Sequence, residues 1–204
     1  MAYAQWRNEQ EDAIDLFSGE WTVPPEPRER SGQTVFIFPG LQNARFVFQS
    51  VLQWGLSFAG GGPYWSIANW YTDGTRENTH VSPCLRVETG QRLYSHIELL
   101  GQKGRSFSYK ASFEGYKALD LALNVVTELL WAFVVLETTG LCNPLQYPAE
   151  PCTRMDSIIL KTGGLRIQPG WRPVQRHRGP GSPRVVVNSF ETIDLVYPSI
   201  APGR

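Results

Sequence analysis

Short apolar runs rich in Val, Ile, Phe, Tyr and Trp recur along the chain between clusters of Gly, Pro and Asn. Half-buried strands give this pattern, because their side chains alternate between faces and the turns between them need residues that tolerate tight backbone geometry. The runs predict strands near Glu20 to Val23, Thr34 to Phe38, Val47 to Trp54, Tyr64 to Tyr71, Cys84 to Val87 and Leu93 to Leu100. Further strands are expected near Ser106 to Phe113, Val125 to Glu137, Asp156 to Lys161 and Val185 to Val196. Gly60-Gly61-Gly62-Pro63, Asp73-Gly74 and the Gly101 to Gly104 segment read as turns. Only Ala4 to Phe17, where Trp6, Ile14 and Phe17 are loosely spaced at helical intervals, predicts a short amphipathic helix. The reading is therefore an all-β chain: an antiparallel β-sandwich of two packed sheets. Residues 1–18 form an N-terminal segment and 19–204 a single domain.

Composition narrows the function. The chain has 204 residues, with 19 Lys+Arg against 19 Asp+Glu, so it lacks the basic excess of a nucleic-acid binder. Its longest apolar run, Leu129 to Leu136, is far short of the ~20 residues that cross a membrane. No basic-then-apolar leader opens the sequence, which makes a cytoplasmic protein the expectation. Cys84, Cys142 and Cys152 are too few for a disulfide framework and are read as free thiols. His80 and Cys84 have no second ligand pair, so no metal and no cofactor are expected. Cys84 with His96 lacks any surrounding nucleophile motif, and the glycine triplet lacks the Lys-Ser/Thr of a phosphate loop. Gln175 to Arg184, with Arg176, His177, Arg178 and Arg184, reads as a solvated loop.

Strand parity gathers the remaining polar groups. Gln49, Val51 and Gln53 share one face of their strand, and Phe48, Ser50, Leu52 and Trp54 share the other. Trp65, Ile67, Asn69 and Tyr71 point one way in the next strand. In Val125 to Glu137 the set Glu128, Leu130, Ala132 and Val134 opposes Leu129, Trp131, Phe133, Val135 and Glu137. Amides and carboxylates inside apolar strands are retained where they pair with one another or line a solvated cleft.

The segments Gly19-Glu20-Trp21-Thr22-Val23-Pro24, Val51-Leu52-Gln53-Trp54-Gly55, Trp70-Tyr71-Thr72-Asp73-Gly74 and Glu128-Leu129-Leu130-Trp131 resemble, in order and spacing, the glutamic peptidases called eqolisins. The resemblance implies a concanavalin-like, jelly-roll sandwich of two seven-stranded sheets face to face, with a cleft on the concave sheet where a Gln and a Glu activate water. The family Gln falls on Gln53. The family Glu, placed directly before the Trp matched by Trp131, falls on Leu130, so the chain resembles a divergent member without that carboxylate in place. Glu128 lies on the same strand face as Leu130, about 7 Å away at ~3.4 Å per residue. These readings give Gln53 and Glu128 as catalytic candidates, and Gln49, Trp65, Asn69, Tyr71 and Leu130 as substrate-binding ones. The leading expectation is a non-proteolytic enzyme acting on an apolar or aromatic small molecule, by cyclisation, isomerisation or hydrolysis. A glutamic endopeptidase with a relocated Glu and a carbohydrate-binding module are the alternatives, and neither nucleic acid nor membrane is an expected partner.

Overall fold

A computed structural model describes residues 1–176 and 182–199. Its sixteen strands build two antiparallel sheets of eight, packed face to face. In chain order, β1 (Ala2–Arg7) opens the front sheet and β2 (Ile14–Thr22) crosses to the back sheet. The chain returns to the front as β3 (Thr34–Gln42), β4 (Val47–Ser57), β5 (Gly60–Thr72), β6 (His80–Val81) and β7 (Leu85–Arg86). β8 (Arg92–Lys103), β9 (Ser106–Phe113) and β10 (Leu121–Val125) extend the back sheet, and β11 (Trp131–Thr139) crosses to the front. β12 (Cys152–Thr162) and β13 (Leu165–Ile167) lie at the back, β14 (Arg172–Gln175) at the front, and β15 (Arg184–Val187) and β16 (Ile193–Val196) at the back. The front sheet runs β14-β1-β11-β3-β4-β5-β6 and the back sheet β10-β9-β8-β2-β12-β16-β15, with β7 beside β5 and β13 beside β12. Single 3-10 turns at Lys117–Leu119 and Pro144–Gln146 are the helical elements of the described residues, none of which could cross a membrane.

Several expected elements differ. The predicted N-terminal helix is instead β1, a turn and the start of β2. Ala2 and Ala4 are fully buried, and small alanines alternating with Tyr3 and Gln5 give a weak strand signal. The Asn8 side chain then organises a turn, accepting from the Gln10 N–H and donating to the Asp12 carbonyl, so Trp6 and Ile14 never share a helix. The predicted strand Val125 to Glu137 is two strands, β10 and β11, in opposite sheets. Likewise Val185 to Val196 is the β15–β16 pair. The loop expected at Gln175 to Arg184 falls partly on 177–181, outside the described residues.

The core between the sheets takes Ile37, Leu52, Trp54, Trp65 and Ile67 from the front and Phe17, Trp21, Ile97, Tyr109, Phe113 and Leu160 from the back. Trp54 and Trp65, each 1% exposed, meet edge to face at 5.6 Å in its middle. A second, separate cluster lies on the outer face of the front sheet: Phe38, Val51, Ala68, Trp70 and Val135, with Tyr3, Phe36, Ala59 and Phe133 packed against it. The front sheet is therefore apolar on both faces.

Candidate active site

Register decides which side chains meet on that outer face, because residues directly opposite on antiparallel strands project to the same side. Gln53 lies opposite Phe36 on one flank and Ser66 on the other, and Phe36 lies opposite Glu137. One row across the sheet therefore reads Glu137, Phe36, Gln53, Ser66. A parallel row reads Gln5, Phe133, Gly40, Gln49, Trp70. The floor of a cavity of about 340 Å³ includes Phe36, Phe38, Gln49, Trp70 and Glu137, and Leu56, Ser57 and Phe58 of the β4–β5 connection border it.

That connection is shaped by Gln53. Its amide donates to the carbonyls of Gly55 (2.7 Å) and Gly60 (2.9 Å) and accepts from the Ser57 hydroxyl (2.9 Å). A β-bulge after Trp54 puts Gly55 at φ +92°, where a Cβ would sit 2.2 Å from the Gln33 carbonyl oxygen. Gly61, at φ +96°, approaches so closely that a Cβ would lie 2.4 Å from the Gln53 amide nitrogen. These glycines are required by backbone conformation and by close approach. Phe58 and Ala59 then make the turn, and the Phe58 ring lies 4.9 Å from Trp70, edge to face.

Glu137 faces this cavity, opposite to the expectation from parity that it faces away. The even set Ala132 and Val134 packs into the inter-sheet core, whereas Phe133 and Val135 join the outer cluster. Burial raises the Glu137 carboxyl above its ordinary range, against the opposing positive charges of the Met1 amino group and Arg176. Phe36 stands between it and Gln53, and two inter-strand spacings put their Cα atoms about 10 Å apart. No hydrogen bond joins Glu137 and Gln53, whose amide is engaged in the hairpin.

The other sequence candidates lie elsewhere. Glu128 and Leu130 belong to the loop from β10 to β11; the Leu130 N–H donates to Gln42 and its carbonyl accepts from Asn8. Trp65, Asn69 and Tyr71 do share a face, but it is the one toward the back sheet. Asn69 is fully buried: its Oδ1 accepts from Ser50 (2.7 Å), and its Nδ2 donates to the Ala111 and Leu119 carbonyls of the opposite layer (3.2 and 2.7 Å). It ties the sheets together. Tyr71 stacks on Phe46 at 4.8 Å, and burial pushes its hydroxyl up to about 12. Gln49 and Gln53 remain on the cavity side, and Glu137 and Trp70 join them. The missed signal was pairing: counting back from the turn at Phe58–Ala59 through the bulge aligns Gln53 with Ser66, and so with Trp70 rather than Trp65.

Three depressions are larger: two of about 470 and 720 Å³ open at the back sheet and its rim, and one of about 410 Å³ lies around Trp6, Arg7, Trp131 and Arg172. In the first, Arg92 and Arg154 are already paired with Glu20 and Asp194. The second is a shallow stretch of prolines between Arg28 and Arg184. No group of three or more potential metal ligands occurs among the described residues.

No family model matches the chain, and no curated protein matches it. Solved structures do. Scytalido-glutamic peptidase with a peptide-based transition-state analogue superposes with a TM-score of 0.65 at 13% identity, over 96% of this chain and 97% of that one. The same peptidase with a transition-state-analogue inhibitor gives 0.67 at 11%, with the same coverage. SCP-B, an eqolisin-family peptidase in complex with the tripeptide Ala-Ile-His, gives 0.63 at 12% over 96% of each chain. The chain has the eqolisin-like β-sandwich fold. The sheets here have eight strands each rather than the seven expected, since β7 and β13 each pair beside a seven-stranded path.

Proposed function

We propose that the outer face of the front sheet is the active site of an enzyme acting on an apolar or aromatic small molecule, with Glu137 as its proton-transferring group. The observation that carries this reading is the Glu137 carboxyl itself: the acidic side chain lining an otherwise largely apolar cavity, raised by burial and joined to no amide or second carboxylate. A carboxyl shifted upward keeps its proton nearer neutrality, and so can deliver it to a substrate and take one back as the carboxylate. Phe36, Phe38 and Trp70 supply an apolar seat in which hydrolysis, isomerisation or cyclisation of a flat substrate is favoured by orientation and exclusion of water. Gln53 acts as a positioning residue, holding the hairpin that closes the seat.

A second reading, a glutamic endopeptidase, is favoured by the row that sets Glu137 and Gln53 on one face and by neighbours solved with peptide ligands. It requires the Gln53 amide to leave its hairpin bonds. The carbohydrate module has less support, since Trp21, Trp54 and Trp65 are core residues.

The two readings separate when the protein is offered a panel of aryl esters and a quenched peptide library between pH 3 and 8. The small-molecule reading expects ester turnover that falls about 10²–10⁴-fold in Glu137→Gln, with peptides intact. Peptide cleavage lost in both Glu137→Gln and Gln53→Ala, each still folded, replaces it with the peptidase.

A further inference from the structure

The outer cluster contains a donor and an acceptor with nothing to bind. Gln49 and Trp70 lie directly opposite each other on β4 and β5, 8% and 5% exposed, and both line the cavity. The Oε1 of Gln49 and the Nε1–H of Trp70 are buried without a hydrogen-bond partner, and they do not bond to one another. An unpaired buried polar group is costly, so two on adjacent residues facing one apolar cavity call for a common partner. The smallest group that answers both is a hydroxyl, whose oxygen accepts from the indole while its hydrogen goes to the amide carbonyl. The surroundings set what carries that hydroxyl. The Trp70 ring meets two others edge to face: Phe36, 6.0 Å away in mid-strand, and Phe58, 4.9 Å away and half exposed on the hairpin turn.

We propose that Gln49 and Trp70 form a subsite for the hydroxyl of a phenol, whose ring takes the place that the Phe58 ring fills in this structure. This assignment rests on the reading of the cavity as a small-molecule site and names the substrate class. Phe58 acts as a resident stand-in, keeping water off the floor until a flat ring displaces it. The hairpin base held by Gln53 stays fixed while the turn residue moves.

Three probes of one shape test it: para-ethylphenol, which donates and accepts; para-ethylanisole, which only accepts; and ethylbenzene, which does neither. Binding is followed on the intact protein by the Trp70 indole N–H resonance, assigned with Trp70→Phe. The phenol is expected to bind about ten-fold more tightly than its methyl ether, the factor of one good hydrogen bond. Gln49→Leu should bring phenol and ether to parity without lowering the melting temperature, because it removes an unpaired acceptor. Phe58→Ala should strengthen binding of all three. Equal binding of phenol and ether to the wild type overturns the proposal, since the Gln49 side chain then offers no acceptor. An unmoved Trp70 resonance with every probe also overturns it and leaves the pair to a buried water. Glu137→Gln should keep the phenol preference. Ester turnover that ignores Glu137 while the preference stands would therefore sink the acid–base reading and not the subsite.

Discussion

The two sheets turn very different outer faces to their surroundings. The back sheet presents charged side chains already in pairs, among them Glu20 with Arg92, Glu98 with Lys110 and Asp194 with Arg154. The front sheet presents Phe38, Val51, Ala68, Trp70 and Val135, all 6% exposed or less, under a hairpin from its own strands. An antiparallel sheet with one solvated face should look like the back one. A sandwich needs only one core, so the apolar outer face of the front sheet is surplus to folding, and the phenol subsite proposed above would satisfy its orphaned Gln49 and Trp70 atoms.

The strongest way to break this comparison is to plant a charge on each outer face. Val51, 1% exposed in the middle of β4, should not accept Lys: an unpaired buried ammonium is expected to cost about 4 kcal/mol or more, read as loss of the cooperative urea transition. If Val51→Lys unfolds like the wild type, the front outer face is open to water and the cavity argument fails.

Next in size is Gln53→Glu. Both donors of the Gln53 amide point at carbonyl oxygens, so a carboxylate there would face Gly55 and Gly60 with repulsion in place of two hydrogen bonds. A loss of about 3 kcal/mol is expected, with the fall in melting temperature accompanying any loss of ligand binding. Full stability with binding abolished would instead make Gln53 a ligand-contacting amide.

Alternation along the chain was enough to read a sandwich, and to place Gln49 and Gln53 on one face. It was not enough to say which face was outer. Trp65, Ile67 and Tyr71 look no more core-like than Ala68 and Trp70, because both faces of β5 are apolar. Only cross-strand register resolves the ambiguity, and that depends on the bulge after Trp54 and a turn of which Gln53 is the clamp. Glu137 was missed for a related reason. With Val125 to Glu137 taken as one strand, the set with Glu128 seemed to face the cleft, whereas the chain changes sheets between β10 and β11. Asn69 is the converse: a lone mid-strand amide whose bonds are all supplied by the core.

A smaller, pH-dependent effect sharpens the comparison at Glu137. Its carboxyl titrates above the ordinary 4.5 in the folded protein and near it in the unfolded chain. Between those values the folded state holds the extra proton, so stability falls as pH rises through that window and is greatest below it. Glu137→Gln lacks this titration. In urea melts the variant should therefore gain on the wild type at pH 8 and lose the advantage at pH 4. A constant difference across that range would place the carboxylate in water.

The smallest effect belongs to the back face. Lys110 and Glu98 are opposite each other on β9 and β8, with Nζ 2.8 Å from Oε1, and His96 lies 3.8 Å from the same oxygen. The pairing with Glu98 lifts the Lys110 ammonium above its ordinary 10.5, so whatever it contributes is present in full at neutral pH and is lost as pH rises through that raised value. Both side chains keep about a third of their surface in water, so solvent and entropy offset most of the attraction. Lys110→Ala should cost no more than about 1 kcal/mol at low salt. The difference should shrink in molar salt, where charges are screened within about 3 Å. A loss as large as that at Gln53, unchanged by salt, would mean that the back outer face is as closed as the front. The contrast on which the proposed front-sheet site rests would then disappear.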